Sequence, residues 1–248
     1  MANWSDPRSD TRSNAMPFGV TGAVPSADAG YDAGLRSYML SVYNYMASGV
    51  LLTGIVAMLF ASSGLAQQVL ATPLRWVIML APLAFVMVLS FGINKLSTAA
   101  AQGIYWAFTI VMGLSLSSIF LVFTGTSIAT TFFATSAAFA GLSLYGYTTK
   151  RDLSAFGTFL IMGVVGLLVA SVINIFLQSS GLQLVISFIG VLLFAGLTAY
   201  DTQKIKQVYY QVQGTDFVGK SVVMGALSLY LDFVNMFTFL LQFMGDRR

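Results

Sequence analysis

Charge is missing from most of this chain, and the places where it returns set what the chain can fold into. Residues 96–149 are 54 consecutive positions without Asp, Glu, Lys or Arg, and residues 153–200 are 48 more. A helix crossing the hydrocarbon core of a bilayer needs about 20 apolar residues, so each run holds two. The breaks fall at Thr124-Gly125-Thr126-Ser127 and Gln178-Ser179-Ser180-Gly181. Earlier, one span fits at about 38–60, ahead of the polar stretch Ala61 to Gln68. A second fits in the 19 residues between Arg75 and Lys95. A last one runs over about 221–244. The total is seven, and the predicted fold class is all-α, a polytopic integral membrane protein, because lipid obliges each backbone polar group to be satisfied within its own helix.

Composition agrees. Charged residues make up 8% of the chain, against about 25% in a soluble domain, which excludes a soluble enzyme, a nucleic-acid-binding domain and a disordered regulator. The basic balance, a net charge of +3, reflects loop lysines and arginines rather than a nucleic-acid partner. Cys, His and Glu are absent. That removes disulfides, thiolates, Ser-His dyads, haem-type histidines and Cys- or His-ligated zinc. Proton chemistry inside the membrane is left to Asp, Lys, Tyr or water.

Residues 1–35 are polar, mixed in charge and hold three of the five prolines. They are expected to form a disordered cytoplasmic tail, and no apolar stretch follows their arginines to make a signal peptide. Residues 36–248 are expected to form the transmembrane domain. Basic residues fall mainly on the N-terminal side of the spans: Arg36, Lys95, Lys150, Arg151, Lys204, Lys206 and Lys220, with Arg8 and Arg12 in the tail, against Arg75, Arg247 and Arg248 opposite. The positive-inside rule then places the N-terminus in the cytoplasm and the C-terminus outside.

Two acids stand where charge is costly. Asp232 lies mid-way along the last span, where a charged side chain costs about 2.5–3.5 kcal/mol on insertion scales. Gly225, Ser228, Asp232, Asn235 and Gln242 share one helical stripe. Polar glue between helices is the plain reading of such a stripe, and an ion pathway the functional one. Asp201 is expected to end the sixth span, about 26 Å from its outer boundary at 1.5 Å per residue; Asp232 lies about 20 Å from the outer end of the seventh. The two carboxylates should therefore sit within about one turn of each other in depth. Two such groups in low dielectric cannot both ionise freely, and with no His available they are the obvious pH sensor.

The segments Tyr200-Asp201-Thr202-Gln203-Lys204-Ile205-Lys206 and Ala226-Leu227-Ser228-Leu229-Tyr230-Leu231-Asp232-Phe233-Val234-Asn235 resemble the signatures of the Bax inhibitor-1/YccA-like family of membrane proteins. Thr149-Lys150-Arg151-Asp152-Leu153-Ser154, followed by an apolar helix with Asn174, is similar to the same family's stretch between the fourth and fifth helices. The resemblance covers about 36–245. It implies seven helices with the last wrapped by the other six, and an aspartate pair, Asp201 and Asp232, that shares a proton and gates a pH-dependent Ca²⁺ leak. It also implies a basic latch at the end of the second span. Lys95 stands at that position, a point charge without arginine's bidentate fork, and its plain reading is a topology signal.

The expected function is thus an acid-sensitive cation leak. Ca²⁺ is the preferred ion, since hard cations take oxygen ligands; Asp201 and Asp232 are the possible metal ligands, with Ser228, Asn235 and Thr198 as pathway-lining candidates. No cofactor is expected beyond Ca²⁺ as a permeant or bound ion. The partners are the lipid bilayer, calcium ions and protons. The YccA branch implies a second reading, a regulator or substrate of a membrane-anchored AAA protease with residues 1–35 as the handle. An intramembrane aspartyl protease is the third, but Asp232 lacks a Gly-x-Gly-Asp turn and no Pro-Ala-Leu segment exists, so catalysis is not expected. A retinal pigment would need a Schiff-base lysine within the last span, and Lys220 stands only at its mouth.

Because the chain has no native cysteine, its topology can be read by single-cysteine labelling. A membrane-impermeant maleimide added outside intact cells should label Arg75→Cys and spare Lys150→Cys. The reverse pattern would invert the topology.

Overall fold

The computed structural model describes residues 27–248, with side chains from residue 33 onward. Among the described residues eight helices follow one another: α1 (Ala27–Ser62), α2 (Leu65–Leu70), α3 (Leu74–Gly92), α4 (Thr98–Val122), α5 (Gly125–Thr148), α6 (Ser154–Leu177), α7 (Ser180–Val212) and α8 (Val218–Met244). All but α2 are long and apolar enough to cross a membrane, which makes seven spans. The chain is an all-helical polytopic membrane protein. Most boundaries lie where the polar breaks predicted. Ser97, Thr124 and Ser179 cap α4, α5 and α7 by accepting the backbone N–H of the residue three positions on.

Three boundaries differ. The polar stretch after the first span contains the short helix α2, whose Ala66 is buried. At the start, α1 is already helical from Ala27, so the expected tail boundary at 35 falls inside a helix; residues 1–26 of that tail lie outside the described residues. The helix persists because its extension is packed: Leu35 is buried, Tyr38 packs on Tyr209 at 5.1 Å between ring centroids, and the Tyr209 hydroxyl covers Gly34. For the same reason α7 does not end at Asp201. It runs on to Val212, a length of about 50 Å at 1.5 Å per residue, against a hydrocarbon thickness of about 30 Å. The connection to α8 is correspondingly short, residues 213–217.

α8 is the most buried of the spans. It packs mainly against α7, α1, α5 and α4; α3 lies outside on α4, and α6 outside on α7. The expectation that all six other spans wrap the last one is therefore corrected: four form the wall. Physically, α6 is the most apolar span and α3 among the next, so both can face lipid at no cost. The core around α8 holds Tyr105, Phe108 and Tyr230, with Phe108 and Tyr230 edge-to-face at 5.1 Å. Thr53 donates to the Thr109 carbonyl, so in its contact with Tyr230 it is the tyrosine that donates.

At the far end, the C-terminal residues close over the α4–α5 turn. Thr124 N–H donates to the Asp246 carbonyl and Arg248 N–H to the Val122 carbonyl, and Phe123 and Arg247 form an isolated bridge.

α5 comes close to α7 at Gly146, where a Cβ would run into the Ala199 backbone carbonyl. Backbone cannot swing aside as a side chain can. Gly146→Ala should therefore cost about 1–3 kcal/mol as overpacking and lower the thermal midpoint in detergent. Gly141→Ala on the same helix, with nothing within 4 Å of the new Cβ, should not. Equal midpoints would show that α5 and α7 can separate freely.

Candidate functional site

The turn of α7 that carries Asp201 is tied down by almost every residue around it. Thr202 hydroxyl donates to the Thr198 carbonyl, so Ser143 of α5 must donate to Thr202 (3.0 Å) and Tyr43 of α1 must donate to Ser143. Gln203, only 8% exposed, holds the α5–α6 connection with both ends of its amide: Oε1 accepts from Leu153 N–H at 2.9 Å and Nε2 donates to the Arg151 carbonyl at 2.8 Å. Lys206 Nζ donates to the Tyr147 carbonyl at 3.1 Å. In the same connection, Ser154 donates its N–H and hydroxyl to Asp152 Oδ1, which holds that carboxyl below the usual aspartate range. The Tyr-Asp-Thr-Gln-Lys-Ile-Lys segment is thus one free carboxylate set in a frame of helix–helix ties. The tying roles of Gln203 and Lys206 were not read from the sequence, because their partners lie about 50 residues or more away; a buried-amide requirement at Gln203 was the only available signal.

Half-buried Asp201 lines a cavity of about 210 Å³ between α1, α7 and α8, with Tyr38, Lys204, Ser221, Gly225 and Ser228 among the walls. The cavity lies at the end of the bundle where α1 begins and α7 ends, the end that also carries Lys150, Arg151, Lys204 and Lys206. Asp232 does not line it. It lies deeper, 4% exposed, with Oδ2 buried and without a hydrogen-bond partner among the described residues. The register of the α7–α8 hairpin follows from Gly225 against Ile205 and Gly190 against Phe239. It sets Asp232 level with Thr198, about 4–5 Å along the helix from Asp201. Asp201 is the charged neighbour Asp232 feels, and Lys204 is the cation nearest in influence to Asp201. Further along, the same interface is closed by Phe194 stacked on Phe239 at 5.9 Å, with Met236 and Leu241 fully buried.

The other expected site residues fall unequally. Ser228 stands in the cavity wall beside Asp201. Asn235 is half-buried and its Nδ2 donates to the Leu231 carbonyl on its own helix. Thr198 is buried and donates to the Phe194 carbonyl. Gln242 belongs to a separate polar cluster: Gln183 Nε2 donates to it at 2.7 Å, while Asn174 Nδ2 donates to Gln183 Oε1 at 3.0 Å. Lys95 is exposed in the α3–α4 connection and makes no ion pair with Asp201 or Asp232. α3 packs on α4 and α2, whereas Asp201 faces the cavity between α1, α7 and α8. The cation that shares a cavity with Asp201 is Lys204, on the same helix.

The family described as inhibitor of apoptosis-promoting Bax1 (Bax1-I) matches residues 35–248 of this chain. The inner membrane protein YbhL of Escherichia coli K12 is 46% identical over 220 residues, which cover 87% of this chain and 94% of YbhL. An uncharacterized protein of Rickettsia prowazekii is 45% identical over 94% of this chain and 99% of its own length. One of Caulobacter vibrioides is 44% identical over 95% and 99%. The match runs through both aspartate segments and every span, so this chain belongs to the Bax inhibitor (Bax1-I) family of membrane proteins.

Proposed function

We propose that the protein is a pH-sensitive cation leak, with Ca²⁺ as the favoured ion, gated by Asp201 and Asp232. The observation that carries this reading is the pairing of a buried carboxylate, whose Oδ2 has no hydrogen-bond partner among the described residues, with a second carboxylate one turn away, the latter reached by a cavity at one end of the bundle. A bare buried carboxylate is expensive. It is relieved by a proton shared with its neighbour or by a cation, and a site that exchanges one for the other responds to pH. Two carboxylates and the Ser228 hydroxyl make a transient oxygen site for a passing ion, short of the about six to eight oxygens that hold a resident Ca²⁺.

Other titratable groups near the pair are few. Tyr38 of α1 and Lys204 of α7 line the cavity with Asp201, and Tyr105 of α4 and Tyr230 of α8 fill the core beside α8. As pH falls, the pair takes up one proton and its charge drops from −2 to −1. The pair then holds a cation less tightly, and an ion between the two carboxylates is released along Ser228. Moving a gate from 1:99 to 99:1 takes about 5.5 kcal/mol, while one proton supplies about 1.4 kcal/mol per pKa unit of difference between states. The response is therefore graded over a few pH units.

In proteoliposomes, Asp201→Asn and Asp232→Asn should each flatten the pH dependence of Ca²⁺ flux, and the double variant should add little. If both single variants keep the wild-type profile, the pair is structural polar glue. Lys204→Gln should move the flux–pH curve to higher pH, since losing a positive neighbour favours proton uptake. Lys95→Gln should leave the curve in place; a shift on Lys95→Gln alone would return the latch to the α3–α4 connection.

A further inference from the structure

A larger cavity lies away from the aspartates. It is a groove of about 650 Å³ between α1 and α5, two helices that pack on α7 and α8 but not closely on each other. Its floor is Phe233 of the central helix, held edge-to-face by Phe132 and Phe139 at 5.6 Å each. The rims, Leu40, Leu51 and Leu144, are exposed to the surrounding lipid. Ala47 and Ala140 face into the space from opposite walls, and their small side chains keep it open. Such a volume is within the about 300–1,000 Å³ of ordinary ligand sites.

The polar groups of the groove divide sharply. In its interior each is satisfied within the protein: Ser136 donates to the Phe132 carbonyl, and Tyr43 and Ser143 belong to the directed chain that ends on Thr202. An occupant there meets no free hydroxyl donor and mostly apolar walls, which suits an apolar chain. At one mouth stand Arg36 and Tyr147, where α1 enters and α5 leaves. Arg36 is exposed and pairs with no described residue. A second cation is close, since Lys206 Nζ lies 5.2 Å from the centroid of the Tyr147 ring. No described acidic residue lines the groove. From Arg36 to Leu51 the wall rises about 22 Å, the depth of one leaflet's hydrocarbon, about 15 Å, plus a headgroup.

We propose that this groove binds one anionic phospholipid, with an acyl chain over Phe233 and the phosphate at Arg36. The occupant is a lipid rather than a soluble amphiphile because the groove opens sideways along its length. The headgroup is anionic because the mouth carries only positive charge among its described charged residues.

Native mass spectrometry of the full chain in a non-ionic detergent tests this, with dioleoyl phosphatidylglycerol, dioleoyl phosphatidylcholine and inorganic phosphate as probes. Wild type should retain one phosphatidylglycerol about fivefold more tightly than phosphatidylcholine, the ratio expected from roughly 1 kcal/mol per basic residue at an anionic lipid surface. Arg36→Gln, an exposed change, should remove most of the preference for phosphatidylglycerol. Ala140→Trp and Ala47→Trp, both at exposed positions, should fill the groove from either wall and reduce retention of both lipids. Equal retention of the two lipids by wild type would overturn the proposal. So would unchanged lipid binding in the tryptophan variants. Inorganic phosphate binding as tightly as phosphatidylglycerol, and surviving Ala140→Trp, would reduce the site to an anion contact at Arg36 and overturn it as well.

Discussion

A carboxylate in the middle of α8 forbids that helix a place against lipid, and the rest of the bundle is arranged around this prohibition. Asp232 and Ser228 require protein on their side of the helix, and the opposite face of α8, with Val223, Tyr230 and Val234, is buried too. A helix enclosed on every side needs several others around it, and α1, α4, α5 and α7 supply them. The strongly apolar α3 and α6 have no polar group that needs cover and go to the outside. Among α3, α6 and α8, position follows the cost of leaving each in hydrocarbon.

The second aspartate depends on a different device. Asp201 sits near the point where α7 becomes longer than a bilayer requires, and the extension that follows would fray if left alone. It is held by Thr202 through Ser143 and Tyr43, by Gln203 on the α5–α6 connection, by Lys206 on the Tyr147 carbonyl, and by the Gly146–Ala199 approach. These contacts leave Asp201 and Lys204 as the residues of the turn that face the cavity. A segment that looks in one dimension like a string of polar side chains is, in three, a fixed mount for one carboxylate.

The same mount touches the lateral groove. The directed chain from Tyr43 through Ser143 to Thr202 joins the groove wall to the residue next to Asp201. Lipid-facing and aspartate-facing surfaces are therefore two sides of one set of contacts, formed where α1, α5 and α7 meet.

The number of spans, the all-helical class, the basic end of the bundle and the two costly acids were legible in the sequence. Each is governed by a free energy that is local along the chain: the transfer of roughly 20 consecutive residues into hydrocarbon, or of one charge within them. The depth match of Asp201 and Asp232 was legible too, because a hairpin fixes register from helix rise alone. Which helices surround α8, how far α7 extends, that Gln203 clamps a loop 50 residues earlier, that Lys95 makes no ion pair with the aspartates and that α1 and α5 part to leave a groove were decided only by tertiary structure. Those outcomes depend on which side chains meet across helices distant in sequence, and no period or spacing within a single helix encodes its neighbour.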